Sequence, residues 1–525
     1  MGMTVIVVGA GLAGMTAACA AQKEGAEVIL IDRGSLGLGT NTALAGAVFS
    51  APTPSYPGEQ YVEETLQIGR MVNNRPRVEL IAREAAGALG FLRSLGIELT
   101  EFANFYAIRP AELHEIPGVI LVKTLSAAVK RLSRIRVVTG FYVTEIRKRG
   151  GKVSGVRGFD RAGHEIDIGA SAVVLAAGGA GAIYLNNDNQ KNMMGQGYFL
   201  SAMAGLDLWD MEFVQFYPLV LAEPRLPSMI IYPPYAKEIE LVNASGENVL
   251  AKYDLGDVNE AILKKRDAFS EILFREIISS PVYMDFRGVP SSAWDSYPMN
   301  LLSRLKFDFR IKPVKISPAV HFFMGGVRVD KTGRTSLPGL FACGEIAWGL
   351  HGANRRGGNA LTECTVTGMI AGRSAAAGQA SAWSQDGQAA GKKQKYTAKA
   401  ITGHGGQASL RSIRSRIRDM AWQKAGIIRS EKGMREGLAA IDEICAELAS
   451  AFPRNTAEIA LKQDLTAGSF VLRSILTASL GRKESRGSFN REDFPHEDND
   501  NWLKNSCLSY NPREDRFSSS FHEVM

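Results

Sequence analysis

Residues 4–32 constrain the fold more tightly than any other stretch of the chain. Thr4 to Val8 is a short, β-branched run of the kind used by buried parallel strands. Gly9-Ala10-Gly11-Leu12-Ala13-Gly14 follows and opens an alanine-rich helix that runs to about Glu24. A second apolar strand, Glu27 to Ile31, ends at Asp32. Strand, GxGxxG, helix, strand and acidic stop together form the full context of a dinucleotide-binding βαβ unit. Gly9 allows the tight turn, Gly11 lets the backbone approach a pyrophosphate, and Gly14 lets the helix pack on the strand. Asp32 can accept hydrogen bonds from a ribose. A glycine-rich turn in an ordinary α/β domain is the competing reading.

The segments beyond Asp32 point to FAD rather than a nicotinamide. Gly34 to Val48 is a long loop of small residues suited to lining a bulky cofactor. Val173 to Gly181 and Leu340 to Glu345 read as two more buried strands ending in glycine or an acid. Three such strand ends suit an extended FAD.

His351 to Glu363 (HGANRRGGNALTE) sets a histidine, two adjacent arginines and two asparagines in a glycine-rich turn before a helical stretch, Val366 to Ala377. Backbone N–H groups at a helix start and two planar donor forks suit an anion.

Composition narrows the remaining classes. With 525 residues and 45% hydrophobic content, a large core in several domains is expected. The net charge of +7 comes without basic tracts interleaved with aromatics, which argues against nucleic acid. The five cysteines are scattered at no metal-ligand spacing, so no metal site and a reducing, cytoplasmic setting are expected. No apolar run reaches membrane-spanning length, and the N-terminus lacks the basic region of a signal peptide.

The fold class expected is α/β, a Rossmann-like FAD-binding domain with an inserted capping domain and a C-terminal helical domain. The FAD-binding domain comprises 1–215 and 319–378, and the alternating stretch Arg136 to Ile168 within it reads as a small antiparallel sheet. Prolines cluster after Tyr217, and a helical run near Ala261 to Ile278 follows, so 216–318 is assigned to the cap. Residues 379–400 read as a linker, and 401–525 as helices (Ser409 to Ala451, Thr456 to Leu480) and a tail.

These motifs, with Asp210 to Phe216, the HFFMGG run His321 to Gly326, and Glu484-Ser485-Arg486-Gly487, resemble the flavoprotein subunit family of succinate dehydrogenase, fumarate reductase and L-aspartate oxidase. The resemblance runs nearly end to end. It implies a cap that closes over the flavin, and hydride transfer across a carbon–carbon bond beside a carboxylate. By that resemblance His321 and Arg355 bind substrate carboxylate. Arg266, in Arg266-Asp267-Ala268-Phe269-Ser270, is the proton donor, and Tyr217 stands at a substrate-binding position. Cofactor contacts fall on Gly9, Ala10, Gly11, Ala13, Gly14, Asp32 and Arg33, on Asn41, Thr42, Ala45 and Gly46, on Ala177 and Gly178, and on Glu345, Asn359, Ala360 and Leu361.

The chain also departs from the family. Tyr217 replaces the histidine of QFHPT, and Phe489 a tail histidine. The TExxRGEGG stretch, source of a proton relay and a further carboxylate contact, is replaced by Met229 to Glu240, with Tyr232 and Tyr235 near the lost positions. Asn41 stands where membrane-bound members attach flavin through histidine, so the FAD is expected to be noncovalent. Arg356 replaces a leucine, either pairing structurally or compensating for lost charge. The leading expectation is an FAD-dependent oxidoreductase acting on an α,β-unsaturated (di)carboxylate or its saturated partner. It would exchange electrons with a partner, an iron–sulfur or other electron-transfer subunit. It would meet the inner membrane only through such partners. An L-aspartate-oxidase-like enzyme and a flavin relay that has lost dicarboxylate chemistry are the rivals.

Overall fold

A computed structural model describes residues 3–109, 115–296, 298–378, 394–395 and 409–525. Strand β1 (Thr4–Val8), helix α1 (Leu12–Lys23) and strand β2 (Glu27–Asp32) form the expected βαβ unit. They sit in a five-stranded parallel sheet ordered Leu340–Ala342, Ala172–Leu175, β1, β2, Ile135–Thr139. The strands are apolar almost throughout because helices cover the sheet, with α1 and Asn359–Ala377 packed closely together. All three strand ends singled out for their glycines and acids therefore lie side by side. Crevices beyond strand C-termini are where open α/β sheets bind ligands.

Tyr142–Arg149, Lys152–Phe159 and His164–Gly169 form the antiparallel sheet expected from the alternating stretch. Its edge pairs with Gln394–Lys395; the rest of the 379–400 stretch read as a linker lies outside the described residues.

A second antiparallel sheet is ordered Val214–Leu221, Val314–Phe323, Val282–Asp285, Glu240–Asn243. The helix Val258–Ser279 packs on it over an apolar core that includes Leu219, Phe269, Met284 and Phe286. The boundaries placed at 216 and 318 fall inside the two long paired strands Val214–Leu221 and Val314–Phe323. Those strands are continuous ribs joining the cap to the rest of the molecule.

The C-terminal region is less uniformly helical than its periodicity suggests. Leu410–Lys424, Glu431–Ser450 and Thr456–Gly481 are helices, but the Ser409 to Ala451 run is interrupted. Ile428–Arg429 forms a short strand parallel to Asn490–Arg491. Arg429 is buried there, donating to the Glu212 carbonyl (2.8 Å) and Ser479 Oγ (2.7 Å). The tail is a β-hairpin, Lys504–Asn511 with Arg516–Glu523, which extends a sheet containing Leu208–Trp209 and Gly326–Val327.

Candidate active site

A cavity of ≈ 1930 Å³ opens where the parallel strands end and the cap begins. Its lining brings together Gly9, Ala10, Gly11, Ala13, Asp32, Arg33, Asn41, Thr42, Ala45, Gly46, Ala177, Gly178, Glu345, Ala360 and Leu361 with Tyr217, Arg266, His321 and Arg355. Two expected cofactor contacts do not reach it. Gly14 is a packing residue: a Cβ there would lie 1.9 Å from the Gly9 carbonyl oxygen. Asn359 is buried beneath the lining, with Nδ2 3.4 Å from Thr65 Oγ1.

The dinucleotide turn is braced by side chains. Asp32 accepts from the Ala10 N–H (3.0 Å) and the Gly34 N–H (2.7 Å), and burial pushes its carboxyl up. Thr42 Oγ1 accepts from the Leu12 N–H at 3.1 Å. Gly9 has φ +105, and a Cβ would stand 2.3 Å from the Ala176 carbonyl oxygen, so only glycine lets these strand ends close up. Arg33 lines the cavity but is engaged elsewhere. It forms a bidentate pair with Asp464 (2.7 and 2.6 Å) and lies over the Tyr142 ring. Asn41 bonds Asn189 Oδ1 (2.6 Å) and accepts from the Gln190 N–H (2.9 Å). Glu345 accepts from the Phe323 N–H (3.1 Å) and lies against Gly179, where a Cβ would sit 2.2 Å from Oε1. Burial raises its carboxyl to about 7. A small-residue cradle of this size, with an acid at the second strand end, fits FAD.

The arginine turn is assembled from three directions. His351 Nε2 is 2.9 Å from Glu363 Oε2, and Arg77 approaches the other oxygen at 3.3 Å, all three side chains being buried. The Ala353 carbonyl accepts from the Ser488 N–H and Oγ, both at 3.0 Å. A Cβ on Gly487 would fall 2.5 Å from that carbonyl, so the glycine of the tail motif permits the close approach. Held this way, Arg355 is 5% exposed, and its Nε donates to Gln215 Oε1 (2.9 Å). Gln215 Nε2 in turn donates to Asn354 Oδ1 (2.9 Å) and the Arg355 carbonyl (3.0 Å). The Arg355 guanidinium lies 5.1 Å from the Phe322 ring centroid. No carboxylate among the described residues lies within ion-pair distance of it. Desolvation first, and repulsion from Arg266 second, pull its pKa down to about 9. An arginine does not readily lose its proton, so this is better read as an unmet demand for an anion. The neighbouring Arg356 points elsewhere, pairing with Glu64 (3.1 Å) and lying over Tyr56 and Tyr61.

In the same cavity His321 occupies a bulge: Gln215 pairs with Phe322 and Phe216 with Val320, leaving His321 as the extra residue. Such bulges re-aim a side chain. Its Nδ1 is 2.7 Å from Asp188 Oδ2, and its ring lies 5.8 Å from that of Tyr217. Tyr217 Oη is 3.0 Å from Tyr235 Oη, which donates to the Ile231 carbonyl (2.6 Å). Tyr232 reaches out of the cap to the Leu44 carbonyl at 2.5 Å.

Arg266 follows a break in its helix at Lys265 (φ −132, ψ 24). The break sets its guanidinium on Asn354 Oδ1 (3.1 Å) and on the carbonyl of Arg355, while Nε is buried without a partner. Asn354 Nδ2 donates to Asp267, whose carboxyl burial raises.

The family of FAD binding domains matches residues 4–361, and the family of fumarate reductase flavoprotein C-terminal domains matches residues 414–525. This chain is a flavoprotein of the fumarate reductase type. It is 29% identical over 541 aligned positions to a fumarate reductase (CoM/CoB) subunit of Methanothermobacter marburgensis, covering 96% of each chain. To the L-aspartate oxidase of Agrobacterium fabrum it is 32% identical over 518 positions, covering 94% of this chain and 91% of that one. A solved structure of the E. coli quinol fumarate reductase FrdA, carrying one substitution, matches 100% of this chain and 97% of its own with a TM-score of 0.88 at 25% identity. The flavoprotein is an FAD-dependent oxidoreductase of this family.

Several residues that shape the flavoprotein's site are not marked by sequence reasoning. Gln215, behind the cavity wall, and Asn354, on it, lie inside the motifs, and a buried amide beside a buried arginine is the available signal. Asp188 had none: it meets His321 only through the fold. Among the described residues no group of His, Cys, Asp and Glu is placed to hold a metal ion.

Proposed function

We propose that this flavoprotein transfers hydride between FAD and an α,β-unsaturated carboxylate or its saturated partner. One observation carries the reading: Arg355 is a buried cation on the cavity wall, without a carboxylate partner among the described residues and with a second arginine beside it. A substrate carboxylate would supply the missing charge. Bound FAD supplies the two-electron hydride chemistry, held noncovalently because Asn41 offers no ring nitrogen for attachment. Gln215 and Asn354 fix the guanidinium that orients the substrate, which lowers the entropic part of the barrier. Arg266 donates the proton to the carbon that does not take hydride. Asp267, a cavity-lining carboxyl next in the chain, is the candidate to resupply it.

The flavoprotein handles electrons within a larger assembly, and its partner there is an iron–sulfur or comparable subunit. The names of its relatives, one a subunit of a fumarate reductase and the other a quinol fumarate reductase chain, support this. No helix among the described residues is long and apolar enough to cross a membrane, which fits a cytoplasmic subunit that meets the membrane through partners. The 32% identity to an L-aspartate oxidase favours amino acid oxidation as the second reading.

The test is to reduce the purified holoprotein with dithionite and mix it anaerobically with short enoates, fumarate included. Return of the oxidised flavin spectrum supports the first reading. Silence toward every enoate, with peroxide released from aspartate in air, would replace it with the second.

A further inference from the structure

The positive charge facing the cavity is distributed very unevenly. Arg355 demands an anion, yet the wall at His321 and Tyr217 is arranged to refuse one. His321 is matched at 2.7 Å by Asp188, whose other oxygen accepts from Asn189 Nδ2 at 3.0 Å. With the Asp188 carboxylate against it, the histidine gives no net cation to a second carboxylate. Beside it, Tyr235 donates its hydroxyl proton to the Ile231 carbonyl, so the bond between the two hydroxyls takes its proton from Tyr217. Tyr217 therefore turns lone pairs, not a donor, toward the cavity.

The other cavity-lining cations are answered elsewhere, stand beside Arg355, or are exposed. Arg33 is paired with Asp464, and Arg356 with Glu64. Arg266 keeps its charge, but its guanidinium is held on Asn354 Oδ1 and the Arg355 carbonyl, so that charge stands beside Arg355. Arg70, Arg109, Lys265 and Arg304 are solvent-exposed, where screening leaves them able to steer an anion but not to fix one. Ile230, Pro233, Ile262 and Phe322 line the same cavity and give its wall an apolar share. Burying a second carboxylate there, unpaired and next to Asp188, would be strongly unfavourable.

Building on the enoate reading above, we infer that the substrate is a monocarboxylate: one carboxylate on Arg355, and an uncharged aryl or alkyl group on the β-carbon against the wall formed by Tyr217 and the Asp188–His321 pair. The reaction adds hydride to one olefinic carbon and a proton from Arg266 to the other. The C=C bond becomes C–C, both electrons come from reduced FAD, and the product is the saturated monocarboxylate. A reaction that forms enoates by removing water or ammonia from a substituted carboxylate would supply such a substrate.

The experiment uses FAD-loaded, dithionite-reduced protein mixed anaerobically with trans-cinnamate, crotonate and fumarate, following flavin reoxidation. The expected result is a second-order rate constant for cinnamate or crotonate roughly tenfold or more above that for fumarate. A fumarate rate equal to or above both overturns this inference while leaving the enoate reading intact. Silence toward all three overturns both. The double variant Asp188→Asn with Tyr217→His frees His321 and adds an ionisable donor. It should move the ratio roughly tenfold or more toward fumarate, and an unmoved ratio in a folded, FAD-loaded variant counts against the wall's assigned role. Should that variant fail to fold, the wild-type ratio alone decides.

Discussion

The carboxylate of Asp188 lies 2.7 Å from Nδ1 of His321, so the histidine on the cavity wall is already partnered before any ligand arrives. Arg355, facing the same cavity, has the opposite character: fixed by Gln215 and left without a carboxylate within ion-pair distance among the described residues. These two relationships place the anion demand of the cavity at Arg355, with Arg266 beside it, rather than at His321. They also separate the roles of residues that the motifs alone treated as equivalent carboxylate ligands.

The side chain of Arg266 reaches from the cap helix to the arginine turn. Replacing it with lysine keeps a cation but shortens its reach and removes the planar fork that spans Asn354 and the Arg355 carbonyl. If Arg266 is the acid, kcat for enoate reduction falls by on the order of 10²–10⁴-fold with little change in KM. Steady-state kinetics with a saturating electron donor distinguish this from a positional role, in which KM would carry the loss.

Gly14 tests the dinucleotide turn without touching the cavity. A Cβ at this position would lie 1.9 Å from the Gly9 carbonyl oxygen, a backbone atom that cannot swing aside. Gly14→Ala should therefore push α1 off β1 and sharply lower the FAD retained after purification, read as flavin absorbance per protein. Full retention would mean that the turn tolerates a displaced helix.

The tail contributes a buried charge chain. Arg482 contacts Glu212 (2.7 Å) and Glu484 (2.8 Å), and Glu484 contacts Arg486 (2.7 Å), every one of these side chains being fully buried. Arg482→Met leaves Glu212 and Glu484 short of a partner and should destabilise the protein by about 3–5 kcal/mol. Because Ser488 of this segment holds the Ala353 carbonyl, reduced affinity for carboxylates should accompany the lower Tm.

Two buried acids lower stability as pH rises, opposed in part by buried His351, whose pKa desolvation lowers. Burial lifts Glu345 from 4.5 to about 7, and burial with the nearby Glu212 charge lifts Asp210 from 3.8 to about 7. Between those limits the folded chain holds more protons than the unfolded one. Stability of the FAD-free protein is thus highest on the acid side of this window and falls as pH rises toward about 7, each group contributing at most about 1.4 kcal/mol per pH unit. Thermal melts across that range should show the decline, and Glu345→Gln should flatten it.

Legibility from sequence followed the range of the interactions. The dinucleotide turn was readable because each glycine answers a local steric demand and the acid follows at a set distance. The turn around Arg355 was readable because its donors are contiguous. Asp188 was not, since it meets His321 across 133 positions and only through a bulge between two long strands. The interruption at Ile428–Arg429 was hidden because helical periodicity persists on both sides, while the strand that breaks it lies in the tail. The final hairpin was likewise unreadable: Lys504–Asn511 finds its partners in Arg516–Glu523 and in the distant Leu208–Trp209. Gly14 and Asn359 show the limit of motif transfer, since both belong to cofactor motifs and neither touches the cavity.

The most direct test of the account is an equilibrium titration of the oxidised, FAD-loaded protein with crotonate, cinnamate and fumarate, following the flavin absorbance spectrum, in wild type and Arg355→Ala. A saturable spectral shift with at least one of these carboxylates in the wild type is predicted, with Kd raised by on the order of 10²-fold or more in a variant that still retains FAD. Equal affinity in the two proteins would contradict it, because the cation on which the substrate reading rests would then have no carboxylate to hold.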